Sequence, residues 1–375
     1  MRGTVVMAES TDIYHDYRVQ KEAGSVAKAG FQVRVYGFRN GLRDPRGDGL
    51  PFDLRTLPMA SRDRRALRNL TIVMNVALIN LILIGTRARI YHAHNTLFLV
   101  GMWLGARLHR GRLVYDAHEV QWEKGRAMAA LERFFVRRAD GVINVSPGRA
   151  RAAAERYGIP VETFTVLPNY PIVPDRPADP AAPEPGSDRL RLVFSGGFDL
   201  SNNRLDVLLA AMRDVPQVDL YLMAFGYRDG EQIMRRLIEE YGLAKRVSFL
   251  PLVKPHEVMG AIGGYDVAVN LLTNPKNHIS IRYPSVNKMY EYLAAGLPIL
   301  CSDLEGFVEE FAREGAAVAV DAEDAASVAA GLRALLADRE ALKGMRTKAA
   351  ELARTRYNWL IQEDRLQSLY RKLAG

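Results

Sequence analysis

The stretch PNYPIVPDRPADPAAPEPGSD, residues 168–188, constrains the fold more than any other feature. Proline fixes φ and lacks a backbone donor, so a run this dense sustains neither a helix nor a central strand. It reads as an interdomain linker, and 375 residues suit two cores better than one. On both sides, short apolar runs alternate with helical patterns. GTVVMA, QVRVYGF, ARIYHAH, RLVYDAH, GVINVS and FTVLPN precede the linker; LRLVFSGG, VDLYLMAFG, RVSFLP, DVAVNLL, PILCSD and AAVAV follow it. Strand, helix, strand in each half implies an α/β protein with two doubly wound parallel sheets. The expected divisions are a first domain over 1–170, a linker over 171–188, a second domain over 189–350, and a terminal helix over 351–375 that returns to the first domain. In open sheets of this kind ligands bind beyond the carboxyl ends of the strands, which directs attention to the residues after each run.

Charge separates the halves. Residues 1–170 hold 26 Lys and Arg against 15 Asp and Glu, whereas the remainder holds 25 against 28. The first half either meets something anionic or carries arginine on an exposed face. Cys301 is the only cysteine, which excludes an intrachain disulfide and makes a reducing cytoplasm the default setting. The apolar run at the N-terminus is too short for a signal peptide and reads as a first strand.

The segment YPSVNKMYEYLAAGLPILCSD, residues 283–303, carries the most chemistry. Pro284 and Ser285 signal a helix start, Gly296 a C-terminal cap and Pro298 a stop, so the spacing predicts a helix from about Val286 to Ala295. Such a helix start after a strand is a ready anion site, and Asn287 and Glu291 fall on one face. Glu291 is either a hydroxyl acceptor beside a bound phosphate or a surface residue paired with Lys288.

This stretch resembles the donor-site signature of family four of the retaining glycosyltransferases. Pro284, Asn287, Lys288, Glu291, Tyr292, Leu293, Ala294, Ala295, Gly296, Leu297 and Pro298 match its pattern, and the resemblance runs from DYRVQKEAGSVAKAGFQVRVYGF through IYHAHNTLFLVG, YDAHE, VINVS and VLPN to RYNWLIQEDRLQSLY. It implies a GT-B fold, with two Rossmann-like domains facing across a cleft. It also implies transfer of a sugar from a nucleotide diphosphate with no further cofactor; among such donors a UDP-sugar is favoured, although the sequence does not name the nucleotide. Glu291 inherits the contact with the donor ribose. Ser285, Val286, Asn287 and Lys288 inherit the phosphate-binding turn, Gly196 and Gly197 the glycine turn, and Arg204 the phosphate clamp. Base recognition falls to backbone around Leu252 and Val253. His118 belongs in the active-site cleft, with Asp16 and Arg18 also on the acceptor side, and Glu119 either orients His118 or serves the acceptor. Front-face attack without a protein nucleophile leaves positioning and leaving-group stabilisation to His118, Glu119, Arg204 and Lys288.

Two positions depart from the pattern. Many members carry a second Glu eight positions before the ribose Glu, where Tyr283 stands here; Asn277, His278 and Arg282 are the nearby candidates to read sugar hydroxyls, and His278 is equally a plain loop residue. Phe198 stands where a first phosphate-binding cation is common. Arg204 is either the remaining clamp or a surface residue at a helix start. His92 and His94 alternate along a strand and share one face. No Asp-x-Asp pair follows a strand, and the expectation is no bound metal.

Residues 62–89 join Arg62, Arg64, Arg65 and Arg68 to a 15-residue apolar stretch, shorter than the roughly 20 residues of a membrane-crossing helix. The stretch is either a core helix covering the sheet or a helix laid on an anionic membrane surface. The second reading favours a glycan or lipid-linked acceptor and a cytoplasmic enzyme peripheral to the membrane, with cell-surface polysaccharide or glycolipid synthesis as the setting. A catalytically weak scaffold of the same fold is the alternative that Tyr283 and Phe198 keep open. Nucleic acid is excluded as a partner, because the arginines are spread without interleaved aromatics.

Overall fold

The computed structural model describes residues 3–40, 49–60, 64–173, 188–225, 229–274 and 278–375. The chain divides into two compact units: residues 1–169 with 360–375, and residues 170–359. Of the expected linker, only residues 171–173 and 188 are described. The second unit extends to Trp359, so the segment belonging to the first unit begins at Leu360 rather than at 351. Two contacts explain the boundary: the Tyr357 hydroxyl donates to the Glu310 carbonyl at 2.7 Å, and the Trp359 amide donates to the Pro171 carbonyl at 2.9 Å.

In the first unit the described strands are β1 (Thr4–Asp12), β2 (Gln32–Asn40), β3 (Asp53–Met59), β4 (Ile90–Ala93), β5 (Arg112–Ala117), β6 (Gly141–Asn144) and β7 (Phe164–Val166). They form one parallel sheet in the order β3-β2-β1-β4-β5-β6-β7. Six match the apolar runs read from the sequence. The seventh, β3, escapes that reading because DLRTLPM alternates polar with apolar residues and contains Pro58; proline is tolerated there because β3 is an edge strand. The apolar core includes Val6, Phe38, Tyr91, Phe98, Leu113 and Val142, all at most 1% exposed.

In the second unit the strands are β8 (Leu190–Gly197), β9 (Val218–Phe225), β10 (Val247–Phe249), β11 (Val267–Asn270), β12 (Ile299–Ser302) and β13 (Ala317–Val320), in the parallel order β10-β9-β8-β11-β12-β13. All six coincide with the apolar runs. The two faces of this sheet carry separate cores, one with Leu192, Phe194 and Leu220, the other with Val193, Met289 and Ile299. In both sheets the strand order reverses direction once, between β1 and β4 and between β8 and β11. These are the switch points at which open α/β sheets hold ligands.

The 62–89 segment forms a helix over Arg65–Gly85. Its Ala66–Gly85 span has a mean hydropathy of 1.9 and is long and apolar enough to cross a membrane, yet only 11% of it is buried. The 15-residue expectation was too short because Arg65 to Leu70 continue the helix. One stripe, Ile79 and Leu83, is fully buried, and the helix packs closely on the helix Leu99–His109. A Cβ on Gly101 would come within 2.8 Å of the Asn80 Cα, and one on Gly105 within 2.6 Å of the Leu83 carbonyl oxygen. The Asn80 side chain fastens the pair, accepting from the Gly101 amide and donating to the Leu97 carbonyl. The opposite stripe, Leu67, Leu70, Val73, Met74, Leu78 and Leu81, is exposed. Reading the helix as buried sheet cover therefore holds for one stripe alone.

Candidate active site

In the second unit the site grows from the β8 carboxyl end. Gly196 has φ +147°, a value that favours glycine, and a Cβ there would lie 2.7 Å from the Lys288 Nζ. The amine thus rests against bare backbone, and it lies 4.3 Å from the Phe194 ring centroid. Burial pulls the Lys288 amine down to about 8, with Glu291 opposing. Its helix runs Asn287–Ala294, one residue shorter at each end than the sequence predicts, with Val286 at the N-cap and no side chain capping it. The amides at this start therefore remain open to an anion. Met289, Tyr290, Tyr292 and Leu293 face the core, Asn287 is exposed and Glu291 half-buried. Gly296, at φ +70°, ends the helix in the left-handed conformation its sequence position implied.

Tyr292, which the sequence reading treated as part of the motif only, has a structural task. Its hydroxyl accepts from the Ser195 amide at 2.9 Å and lies 3.4 Å from the Val269 carbonyl oxygen, tying the helix to the ends of β8 and β11. Phe198 is 1% exposed; its amide bonds the Phe225 carbonyl at 3.0 Å and its ring packs on Phe249, so this position serves the core. Arg204 caps the helix Leu205–Arg213. Its guanidinium donates to both Asp206 oxygens at 3.1 Å and pairs with Glu323, so two carboxylates hold the expected phosphate clamp. The Tyr283 hydroxyl and Arg282 both bond Glu305, which places a carboxylate directly beside the position of the missing Glu. His278 is exposed at the N-cap of the short helix Ile279–Arg282, and Asn277 lies outside the described residues. Leu252 is exposed and Val253 half-buried in the loop after β10, and Ser285 precedes the helix start half-buried.

In the first unit the β1–β4 switch point holds an ionic cluster. His118 follows β5 and is 22% exposed; its Nε2 lies 2.8 Å from Asp116 Oδ2, and its Nδ1 lies 3.7 Å from Glu9 Oε2. Burial alone would lower the imidazole, but Asp116 raises it above its usual value. Burial alone would raise the Asp116 carboxyl, yet Arg18 and His118 hold it well below the usual range. Arg18 is only 6% exposed: it grips Asp116 through Nη2 at 2.8 and 3.0 Å and the Leu167 carbonyl through Nη1 at 2.8 Å. The structure thus places Arg18 beneath His118 as a support rather than on an acceptor-facing surface. Asp16 caps the helix Tyr17–Lys28 by accepting from the Val19 amide, and it accepts from the Thr11 hydroxyl at 2.7 Å. Glu119 does not orient His118; it points outward and pairs with Lys124, and Asp116 is the orienting residue. The signal was available, since Asp116 and His118 are two apart at a strand end and share a face.

Residues 17–170 match the model of the glycosyl transferase 4-like domain, and residues 175–352 match that of glycosyl transferases group 1. The chain belongs to this glycosyltransferase family. A curated relative, D-inositol 3-phosphate glycosyltransferase of Nocardia farcinica, is 27% identical over 286 residues, a match that covers 69% of this chain and 61% of the relative's length. Sucrose-phosphate synthase from Thermosynechococcus elongatus has a TM-score of 0.75 at 18% identity, with 99% of this chain and 98% of that chain covered. Anabaena HepE in complex with UDP also has a TM-score of 0.75, at 14% identity over 98% of this chain and 100% of that one. WaaG, a glycosyltransferase involved in lipopolysaccharide biosynthesis, has a TM-score of 0.66 at 16% identity, covering 97% of this chain and 99% of its own. At these identities the structures establish the fold, which is the GT-B type: two parallel-sheet α/β domains.

Proposed function

We propose that this glycosyltransferase moves a sugar, with retention of configuration, from a UDP-sugar to a glycan or lipid-linked acceptor, in polysaccharide or glycolipid synthesis at an anionic membrane surface. The observation that carries the donor assignment is the Lys288 amine lying against Gly196 at an uncapped helix start, a cation and open amides converging beside the β8–β11 switch point. The structures of Anabaena HepE in complex with UDP and with UDP-glucose, which share this fold, support the same donor class. In the reaction the bond from the anomeric carbon to the diphosphate breaks, and the acceptor oxygen bonds the same face of that carbon. The acceptor proton passes to the departing phosphate oxygen. Lys288 and the helix amides stabilise the charge that develops there, and Glu291 holds the ribose. These groups supply the leaving-group stabilisation without a metal ion. His118, oriented by Asp116, binds the acceptor side.

The membrane reading rests on the exposed stripe of the helix Arg65–Gly85. Val100, Leu104 and Leu108 of the following helix are exposed as well. Arg64 and Arg68 stand at one end, and Arg107 and Arg110 enter a hollow of about 410 Å³ that Arg112 and Arg138 also line. Apolar side chains beside cations suit a surface that presents acyl chains under phosphate head groups. Arg62 and the side chain of Arg65 lie outside the described residues.

The test is thermal denaturation of the protein with UDP, GDP, ADP and their sugars, followed by an assay of donor hydrolysis with whichever nucleotide sugar stabilises. UDP should raise the midpoint more than GDP or ADP. Stabilisation without turnover of any sugar nucleotide would favour the scaffold reading, and stabilisation by none would sink the donor site.

A further inference from the structure

Beneath His118 lie charged and polar groups, most of which the transfer does not use. The helix Tyr17–Lys28 contributes Arg18 and Glu22, with the half-buried Asp16 at its start; β1 contributes Glu9, β4 His92, with His94 just beyond its end, β5 Asp116, and the C-terminal helix Tyr370. Glu22, His92, His94 and Asp116 are fully buried. The His92 and His94 rings stack with centroids 4.1 Å apart, and the His92 Nδ1 lies 2.5 Å from the Tyr370 hydroxyl. Among the described residues, no well-aligned hydrogen bond reaches either Glu22 oxygen, the His92 Nε2 or either His94 nitrogen, although the Arg18 Nε and Asp116 Oδ2 lie close. With neutral imidazoles, Arg18 offsets only one of the Glu22 and Asp116 charges, so this pocket carries net negative charge. A buried unpaired charge is costly, and taking up a proton is the cheapest remedy.

The geometry offers that proton two seats. The Arg18 Nε lies 3.0 Å from the His118 Nε2, 3.0 Å from Glu22 Oε1 and 3.2 Å from Asp116 Oδ2, yet it carries a single hydrogen. The His118 Nε2 likewise lies within bonding distance of Arg18 Nε and Asp116 Oδ2, and one nitrogen cannot accept from the first while donating to the second. When His118 is cationic, its Nε2–H donates to Asp116 and Arg18 turns its Nε–H to an ionised Glu22. When His118 is neutral, its Nε2 accepts from Arg18, and Glu22 carries the proton. Both arrangements hold the same number of protons.

We propose that Glu22 is a positioning residue for His118: the two share one proton, coupled through the single Arg18 Nε–H, so the charge of Glu22 sets whether the imidazole meets the acceptor as a cation or as a neutral ring. Burial pushes the Glu22 carboxyl up to about 6, against the pull of Arg18, while Asp116 raises the His118 imidazole. The side-chain atoms of Glu22, His92, His94 and Asp116 also lie within 4.8 Å of one another, but the Arg18 guanidinium already supplies a cation there. The acceptor role of His118 belongs to the proposed function, whereas the shared proton is read from His118 itself and stands or falls separately from turnover.

The experiment follows the histidine Cε1–H signals of the full chain by NMR from pH 5 to pH 9, with His118→Gln to assign the cleft residue. In the wild type His118 should titrate in two steps. In Glu22→Gln, whose amide can still accept from Arg18, it should titrate once, with proton affinity lower by about tenfold, the size of one unit charge removed at short range in a partly screened site. An unchanged midpoint in the folded variant overturns the proposal, and so does one zinc ion per chain in the purified wild type. Should Glu22→Gln fail to fold, carboxyl-labelled glutamate in the wild type decides: one glutamate titrating near pH 6 together with His118 supports the proposal, and none titrating above pH 5 defeats it.

Discussion

The two switch points hold sites of opposite construction. At β8–β11 the groups aimed at a ligand are a lone amine, a glycine backbone and an uncapped helix start, and the flanking arginine is neutralised by Asp206 and Glu323. At β1–β4 a guanidinium and two buried carboxylates lie among three imidazoles, Asp116 holding both Arg18 and His118, and one edge of His118 remains exposed. A cation left half-engaged is available to an incoming anion, such as the diphosphate of the proposed donor. Buried charges that face one another cost desolvation, and here they hold one imidazole in place. The first is built for binding, the second for orientation.

The strongest way to break this comparison is to take the anchor out of the first unit. Asp116→Ala strips Arg18 and His118 of their shared hydrogen-bond acceptor while Glu22 still faces the guanidinium, which should lower stability by about 2–3 kcal/mol. A melting temperature within a degree or two of wild type would show that water neutralises the cluster and that the contrast is illusory. The corresponding change in the second unit should spare the fold and strike binding. Lys288→Ala should weaken UDP binding by about 10- to 100-fold, the worth of a hydrogen bond to a charged group, and leave uridine affinity nearly unchanged. Glu291→Ala should weaken both ligands alike, because it faces the ribose. Arg204→Ala should cost less than Lys288→Ala, since Asp206 and Glu323 already hold that guanidinium. A larger loss for Arg204→Ala would show that it leaves those carboxylates for the phosphates.

The exposed helix tests a different edge of the first unit. Changing Leu70, Val73, Met74 and Leu81 to Ser removes apolar surface that is mostly exposed, so stability should shift by no more than about 0.5 kcal/mol per site. Flotation with anionic vesicles at low salt should be lost. If wild-type protein does not float with such vesicles, the stripe serves something other than a membrane.

The same contrast explains what was legible in the sequence. The donor site is local: Pro284 to Pro298 form one helix, and its cap, stop and core face follow from turn chemistry and periodicity. The twelve apolar strands were visible for the same reason. The His118 cluster draws on residues 9, 18, 22, 92, 94, 116, 118 and 370, which only the sheet order brings together. Nothing in the spacing singled out Glu22, and Arg18 was expected on the acceptor side rather than beneath His118. Tyr283 and Phe198 were recognised as departures, but that one bonds Glu305 and the other fills the core could not be read from spacing. β3 was missed because an edge strand tolerates the proline that an internal strand forbids.

A graded test of the donor side is the titration of Lys288. Its enclosure by Phe194 and the Gly196 backbone lowers the amine to about 8, so it is a cation below that pH and loses its charge above it. A bound diphosphate favours the charged form and raises the amine again, which moves the loss to higher pH in the complex. UDP affinity should therefore fall as pH rises from 7 to 9, by up to about tenfold, since one pH unit above the midpoint leaves about a tenth of the amines charged. Uridine affinity should stay level over the same range. Lys288→Arg, which stays charged throughout, should flatten the UDP profile even if its bulk against Gly196 weakens binding at every pH. A UDP profile that falls equally in Lys288→Arg would assign the titration to another group and remove Lys288 from the phosphate site.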